Sequence, residues 1–175
     1  WIGLFLYGSF SDRLIENPGV WSALSTFAIV GVGAFGSLAG GYFADRIGRT
    51  TVTIGAMIVS GACALVVGIF GGAPFAILLA VCIIWGISVV ADSAQFSSCV
   101  IELAHPHQVG TALTLQNAIG FLIALVSIHL VPVVADHFGW WGAFAMLSIG
   151  PVLGTIAMVR LRLMPEAIRL AGGKR

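Results

Sequence analysis

The sequence predicts an all-α membrane protein, a bundle of transmembrane helices with five complete spans and the end of a sixth. Apolar residues make up 59% of its 175 residues, and charged residues only 9%. A soluble domain carries roughly 25% charged residues to cover its surface. The surface of this chain must therefore face lipid rather than water. A net charge of +1 also argues against a nucleic-acid partner, which would need a concentrated basic face.

Apolar runs of bilayer length define the spans. A helix needs about 20 apolar residues to cross the hydrocarbon core. Complete spans are predicted over residues 20–43, 51–70, 75–99, 110–134 and 140–159. Residues 1–10 are apolar but too few to cross. Because the chain opens inside this apolar run, we expect them to be the end of a span that begins upstream.

Polar or turn-forming residues separate these spans. The predicted connections are a loop over residues 11–19, a charged loop over 45–49, a tight turn over 71–74, a loop over 102–108 and a turn over 135–139. A polar tail begins at Arg160. Small residues recur at helix-contact spacing, Gly36 with Gly40 and Gly150 with Gly154, and allow helix backbones to approach closely in lipid.

The distribution of Lys and Arg predicts the orientation. With alternating crossings, one side holds seven basic residues, namely Arg46, Arg49, Arg160, Arg162, Arg169, Lys174 and Arg175, and the other side holds only Arg13. Basic residues concentrate in cytoplasmic loops. We therefore expect a multi-pass protein of the cell (inner) membrane whose 102–108 loop and C-terminus are cytoplasmic.

The charged loop after the first complete span carries a motif. Residues 41–50 read Gly-Tyr-Phe-Ala-Asp-Arg-Ile-Gly-Arg-Thr. This stretch resembles the signature loop of the major facilitator superfamily, Gly-x-Leu-Ala-Asp-Arg-x-Gly-Arg-Arg. The matched positions are Gly41, Ala44, Asp45, Arg46, Gly48 and Arg49. Phe43 and Thr50 depart from the pattern, as is usual in the C-terminal half of these proteins.

The residue types of the motif suit its place between two helices. A connection this tight requires Gly48 to adopt a positive φ angle or a close contact. Gly41 is expected to let a neighbouring helix approach. Asp45 can face the positive N-terminus of a helix, and Arg46 and Arg49 can anchor the orientation or pair with a carboxylate. The alternative is that these arginines only set the topology.

The resemblance extends over the whole chain and implies further roles. Residues 1–175 would be the C-terminal transmembrane bundle, from the end of helix seven to helix twelve, and the N-terminal six-helix half would be missing. An acidic residue, a Pro and a Gly follow the fourth helix of each half in this family. Glu102, Pro106 and Gly110 fit that outline, which implies that Glu102 pairs with Arg46 or Arg49.

One carboxylate is predicted deep inside a span. Asp92 precedes Glu102 by ten residues and so lies about 15 Å from the helix end, where facing lipid would cost about 3 kcal/mol or more. It belongs to a polar stripe at spacings of four and three residues, formed by Ser88, Asp92, Gln95, Cys99 and Glu102. Such a stripe indicates either the wall of a water-accessible pathway or a polar network that locks helices together.

The next span adds Gln116 and Asn117 as candidate solute contacts. Elsewhere the sequence contains no nucleophile–base pair, no Gly-rich phosphate loop and no His or Cys at metal-ligand spacing. We therefore expect no enzyme activity, no metal and no cofactor.

Together these features predict secondary active transport of a small solute by alternating access, with a proton as the coupling ion. Asp92 is the candidate proton acceptor, and the lipid bilayer is the surrounding medium. A passive facilitator or exchanger of the same fold is an alternative. A membrane protein that senses a solute without moving it is an alternative of another class.

Overall fold

The computed structural model describes residues 1–69 and 73–174, and within these ranges it contains helices but no strand. The α-helices are α1 (Ile2–Ser11), α2 (Pro18–Ile47), α3 (Arg49–Ile69), α4 (Phe75–Leu103) and α5 (Val109–Leu163). Two 3-10 segments, Pro106–Gln108 and Pro165–Gly173, precede and follow α5. The predicted all-α class is confirmed.

Within the described residues, four helical regions are long and apolar enough to cross a membrane, namely Pro18–Ile47, Arg49–Ile69, Phe75–Leu103 and Pro106–Leu163. The 55 residues of α5 would extend about 80 Å as one straight helix, more than twice the hydrocarbon core. Gly139 interrupts α5 with φ 69 and ψ −179. Residues 109–138 and 140–163 are therefore two helical parts, each long enough to cross.

The predicted connections are longer than the observed ones. The charged segment 45–49 is not a loop, because α2 continues to Ile47 and α3 begins at Arg49. The turn predicted over 135–139 is likewise wrong in extent, since only Gly139 leaves the helical conformation. In both places a single Gly with a positive φ angle turns the chain. The polar residues on either side of it belong to the helices. Residues 71 and 72 of the predicted turn 71–74 lie outside the described residues.

Glycines bring α2 and α4 into close contact. A Cβ atom on Gly36 would overlap the carbonyl oxygen of Ile87, and one on Gly40 would lie 3.3 Å from Ala91 Cβ. On α4, a Cβ atom on Gly86 would overlap the carbonyl oxygen of Ile29. The contact predicted for the Gly36 and Gly40 pair is therefore confirmed. The helix backbones are in direct contact at these glycines. In lipid, where the hydrophobic effect does not hold helices together, such close packing does so.

The second part of α5 packs on α3. Gly154 lies against the Met57 side chain, and a Cβ atom on Gly61 would be 3.3 Å from Pro151 Cβ. The predicted pairing of Gly154 with Gly150 is only half observed, because a Cβ atom on Gly150 would meet nothing within 4 Å. The first part of α5 is packed much less closely. Among residues 109–138 only Val131 is buried.

The main apolar core lies at the end of the bundle that α1 occupies. Its buried members come from all five helices and are Phe5, Leu6, Phe10, Ile29, Val67, Leu78, Cys82 and Phe144. The opposite end carries the short α2–α3 connection, the C-terminus of α4 and the segment after α5. We call this the Gly48 end.

Candidate functional site

Arg49 is the centre of a polar cluster at the Gly48 end. Its Nε and Nη2 atoms each lie 2.7 Å from Glu102 Oε1. Nη2 is also 3.1 Å from Asp45 Oδ1, and Nη1 donates a hydrogen bond to Gln95 Oε1 at 3.2 Å. We call Asp45, Arg49, Gln95 and Glu102 the Arg49 cluster. One planar guanidinium thus bridges the last turn of α2 and two turns of α4, which its fork of five N–H donors allows.

The side chains of the Arg49 cluster differ in their exposure to solvent, and so in how strongly their contacts contribute. The Arg49 side chain is 15% exposed and that of Glu102 25%, whereas that of Asp45 is 67% exposed. An exposed ion pair contributes little because water screens it. The Arg49–Glu102 pair, with two short N–H···O contacts in a partly desolvated site, therefore contributes more than the Arg49–Asp45 pair.

The local backbone explains why Arg49 rather than Arg46 occupies this place. Gly48 has φ 104 and ψ 139, the positive φ that the sequence predicts, and it directs the first turn of α3 toward α4. Arg46 remains on the last turn of α2, where its guanidinium stacks 4.1 Å from the centre of the exposed Tyr42 ring. Of the two partners that the resemblance offers to Glu102, the structure selects Arg49.

Gly40 and Gly41 differ in their surroundings. Within the described residues a Cβ atom on Gly41 would meet nothing within 4 Å, whereas Gly40 faces Ala91. The observed contact is therefore the predicted one at Gly40, and a close approach at Gly41 stays a prediction.

The residues of the polar stripe on α4, which runs from Ser88 to Glu102, lie in different surroundings. Gln95 is 1% exposed and Cys99 4%, and with Glu102 they face the packed interior of the Gly48 end. Sequence reasoning placed Gln95 in a solute pathway and missed its hydrogen bond to Arg49. The spacing of Gln95 and Glu102, two turns apart on one helix face, is the signal that could have joined them.

A separate open cavity, lined mainly by apolar residues, lies between α4 and the first part of α5. It has a volume of about 630 Å³, and its polar lining residues are Ser93, Ser97, Gln116 and Asn117. The Oε1 atom of Gln116 is buried and has no hydrogen-bond partner among the described residues. A buried amide oxygen without a partner is costly, so a polar ligand or water would stabilise this cavity. The predicted solute contacts Gln116 and Asn117 thus both line this cavity.

Asp92 lies beside this cavity rather than among its lining residues. Its Oδ1 atom is 3.1 Å from the hydroxyl of Ser93, and Ser93 lines the cavity. Ser88 lies further along α4, is buried, and donates its hydroxyl to the Ile84 carbonyl at 2.7 Å. Within the described ranges, no three His, Cys, Asp or Glu side chains are grouped so that they could hold a metal ion.

The segment after α5 also reaches the Arg49 cluster. The backbone N–H of Ala171 donates to Glu102 Oε2 at 2.8 Å. Just before the segment, in the last turn of α5, Arg162 Nη1 donates to Thr51 Oγ1 at 2.6 Å. Sequence reasoning treated this segment as a polar tail. Its apolar residues are too few to form a span, and contacts across 69 residues of chain leave no local pattern.

Apolar helices of bilayer length and their glycine-mediated packing define a multi-pass membrane protein. The model of the Major Facilitator Superfamily matches residues 2–174. The chain therefore belongs to this superfamily, whose members carry small solutes across membranes. No curated protein and no solved structure shows significant similarity to the chain.

Proposed function

We propose that this chain is one bundle of a secondary active transporter that moves a small solute by alternating access. A second six-helix bundle would complete the transporter, and the two would rock around a site at the bilayer midplane. Membership of a solute-transporting superfamily supports the reaction class. The observation that carries the proposal is the Arg49 cluster, because it joins three helices through contacts that are made or broken as a set.

In this proposal the Arg49 cluster is a cytoplasmic latch. The charges lie at the end of the helices, where they reach water at little cost. Arg49 and Glu102 are partly buried, so their separation is opposed by a few kcal/mol at most, which is the range that sets populations of two conformations. The cluster is intact in one state of the transport cycle and broken in another.

The cavity between α4 and α5 is the proposed contribution of this bundle to the solute pathway. Gln116 and Asn117 offer amide donors and acceptors, and the buried Gln116 Oε1 needs a partner. Asp92 is the proposed proton acceptor, linked to the cavity through the Ser93 hydroxyl. Ser88 and Gln95 stay predictions as pathway residues, since they bond within the bundle.

The proposed orientation of the chain in the membrane follows from the distribution of its basic residues. Arg49, Arg162 and Lys174 bond at the Gly48 end, whereas Arg13 donates to the Ala73 carbonyl beside the start of α4. The basic Gly48 end would face the cytoplasm in a cell (inner) membrane.

Uptake into proteoliposomes that contain the complete protein tests the function. A panel of radiolabelled sugars, amino acids and carboxylates would be offered with and without an inward pH gradient. A proton-coupled transporter accumulates one class of solute above equilibrium only with the gradient. A passive facilitator equilibrates the solute in both conditions. Binding without uptake would support a sensor and contradict transport.

A further inference from the structure

The segment that follows α5 is packed into the Gly48 end rather than exposed along it. Ala167 and Leu170 are each 0% exposed, and they share an apolar cluster with Met57, Cys99 and Met158. Those partners come from α3, α4 and α5. The 3-10 turn of Pro165–Gly173 therefore covers the place where these helices meet below the Arg49 cluster.

Hydrogen bonds tie the same segment to both sides of the Arg49 cluster. Glu102 divides its oxygens, since Oε1 accepts from Arg49 and Oε2 accepts from the Ala171 N–H at 2.8 Å. Lys174 Nζ donates to the carbonyl oxygen of Asp45 at 2.8 Å. The segment thus reaches from α4 to the last turn of α2, across the residues that the latch would separate.

The backbone of the segment is held by these contacts and not by local preference. Ala171 has φ 47 and ψ 39, in the left-handed region. Residues other than Gly persist there only where the surrounding structure over-determines them. Gly172 continues with φ 64 at no such cost. Loss of the contact to Glu102 would let Ala171 relax, so the bound conformation depends on the Arg49 cluster being in place.

We propose that residues 165–174 form a strap that positions the Glu102 carboxylate against Arg49 and releases when that pair separates. The proposal rests on the latch proposed above and adds a positioning element to it. Two contacts to one carboxylate support each other: the Ala171 N–H fixes the rotamer that meets Arg49, and Arg49 holds the oxygen that Ala171 needs. Such coupling is reciprocal, so a change at either end shifts the other.

Alkylation of Cys99 by a water-soluble maleimide reports the strap directly. Cys99 is 4% exposed and belongs to the same buried cluster as Ala167 and Leu170 of the strap, so release of the strap should expose its thiol. Cys63 and Cys82 are buried elsewhere in the bundle and report any general loosening. Peptide mass spectrometry of the complete, purified protein would follow the three thiols separately.

Ala171→Pro removes the N–H donor and cannot adopt a positive φ angle, so it should raise the Cys99 alkylation rate several-fold and leave Cys63 and Cys82 unchanged. Ala171→Gly keeps the donor and removes the strain, so it should slow Cys99 alkylation. Ile168→Ser is the matched control, since Ile168 lies in the same turn but is 54% exposed. It should leave the rate unchanged.

A double variant tests whether the strap acts through Glu102. Glu102→Ala removes the acceptor and should itself raise Cys99 alkylation, and Ala171→Pro should add nothing further in that background. Additive effects would show a segment that is packed for structure only and would overturn the proposal, as would an unchanged Cys99 rate in Ala171→Pro. Alkylation needs no solute, so failure of the wild-type protein to transport would contradict the proposed function without deciding this result.

Discussion

Arg49 shows what a single position in the motif contributes. Arg46 and Arg49 are the same residue type three positions apart, with Arg46 in the last turn of α2 and Arg49 at the start of α3. The structure separates them because Gly48 turns the chain between them, so that Arg49 meets Glu102 and Arg46 stacks on Tyr42. The two arginines therefore make different contacts because the chain turns at Gly48.

Asp92 provides a prediction at the residue scale. Asp92→Asn should abolish solute accumulation driven by a pH gradient and leave downhill exchange partly intact. The amide cannot carry a proton between the two states, but it preserves the size of the side chain beside Ser93. Accumulation and exchange would be measured in the same proteoliposomes.

Asp136→Asn is the control for this change, because Asp136 is an exposed carboxylate outside the α4–α5 cavity. Accumulation that survives in Asp92→Asn would make Asp92 a structural hydrogen-bonding residue. Loss of both accumulation and exchange in folded protein would make it a solute contact instead.

At the scale of elements, the contact between α2 and α4 depends on missing side chains. Gly33, Gly36 and Gly40 lie at steps of three and four residues along one face of α2, and all three are buried. On the other face, Gly31 would place a Cβ atom within 4 Å of nothing. The same residue type is therefore essential on one face and replaceable on the other.

Gly36→Val should lower the thermal stability of the purified protein, whereas Gly31→Val should not. The new side chain at Gly36 would meet the Ile87 backbone, which cannot move aside as a side chain can. Overpacking of this kind costs about 1–3 kcal/mol in free energy of unfolding. Melting curves in detergent would compare the two variants, and equal melting temperatures would contradict the proposed packing.

The sequence predicts elements better than it predicts their partners. Apolar length alone locates every long helix, because lipid requires about 20 apolar residues per crossing. It cannot fix the rotation of a helix about its axis, so it does not show by itself that Gly40 faces α4 and Gly41 does not. Nor does it pair Ala171 with Glu102, because that contact joins segments 69 residues apart and leaves no spacing pattern in the sequence.

At the scale of the whole molecule, the basic residues are concentrated at one end of the bundle. The basic residues that bond at the Gly48 end also hold the Arg49 cluster and the strap. The interactions that would orient the protein in the membrane and those that would control its conformation therefore share the same residues.

A reporter fused after Arg175 should be active only if it functions in the cytoplasm. The seven-to-one division of basic residues drives this expectation, because Lys and Arg near span ends are retained on the cytoplasmic side. Paired enzyme reporters, one active inside the cell and one active outside, would measure it. Activity of the outside reporter alone would reverse the orientation of the whole chain.

The central claim is that the Arg49 cluster controls transport, and two arginine variants of the complete protein test it most directly. Uptake of the solute identified in the panel would be measured for Arg49→Ala and for Arg46→Ala at matched amounts of folded protein. We predict that Arg49→Ala lowers uptake at least tenfold, since about 1.4 kcal/mol of state preference is a factor of ten. Arg46→Ala, outside the cluster, should retain most of it. Equal uptake by both variants and the wild-type protein would contradict the account.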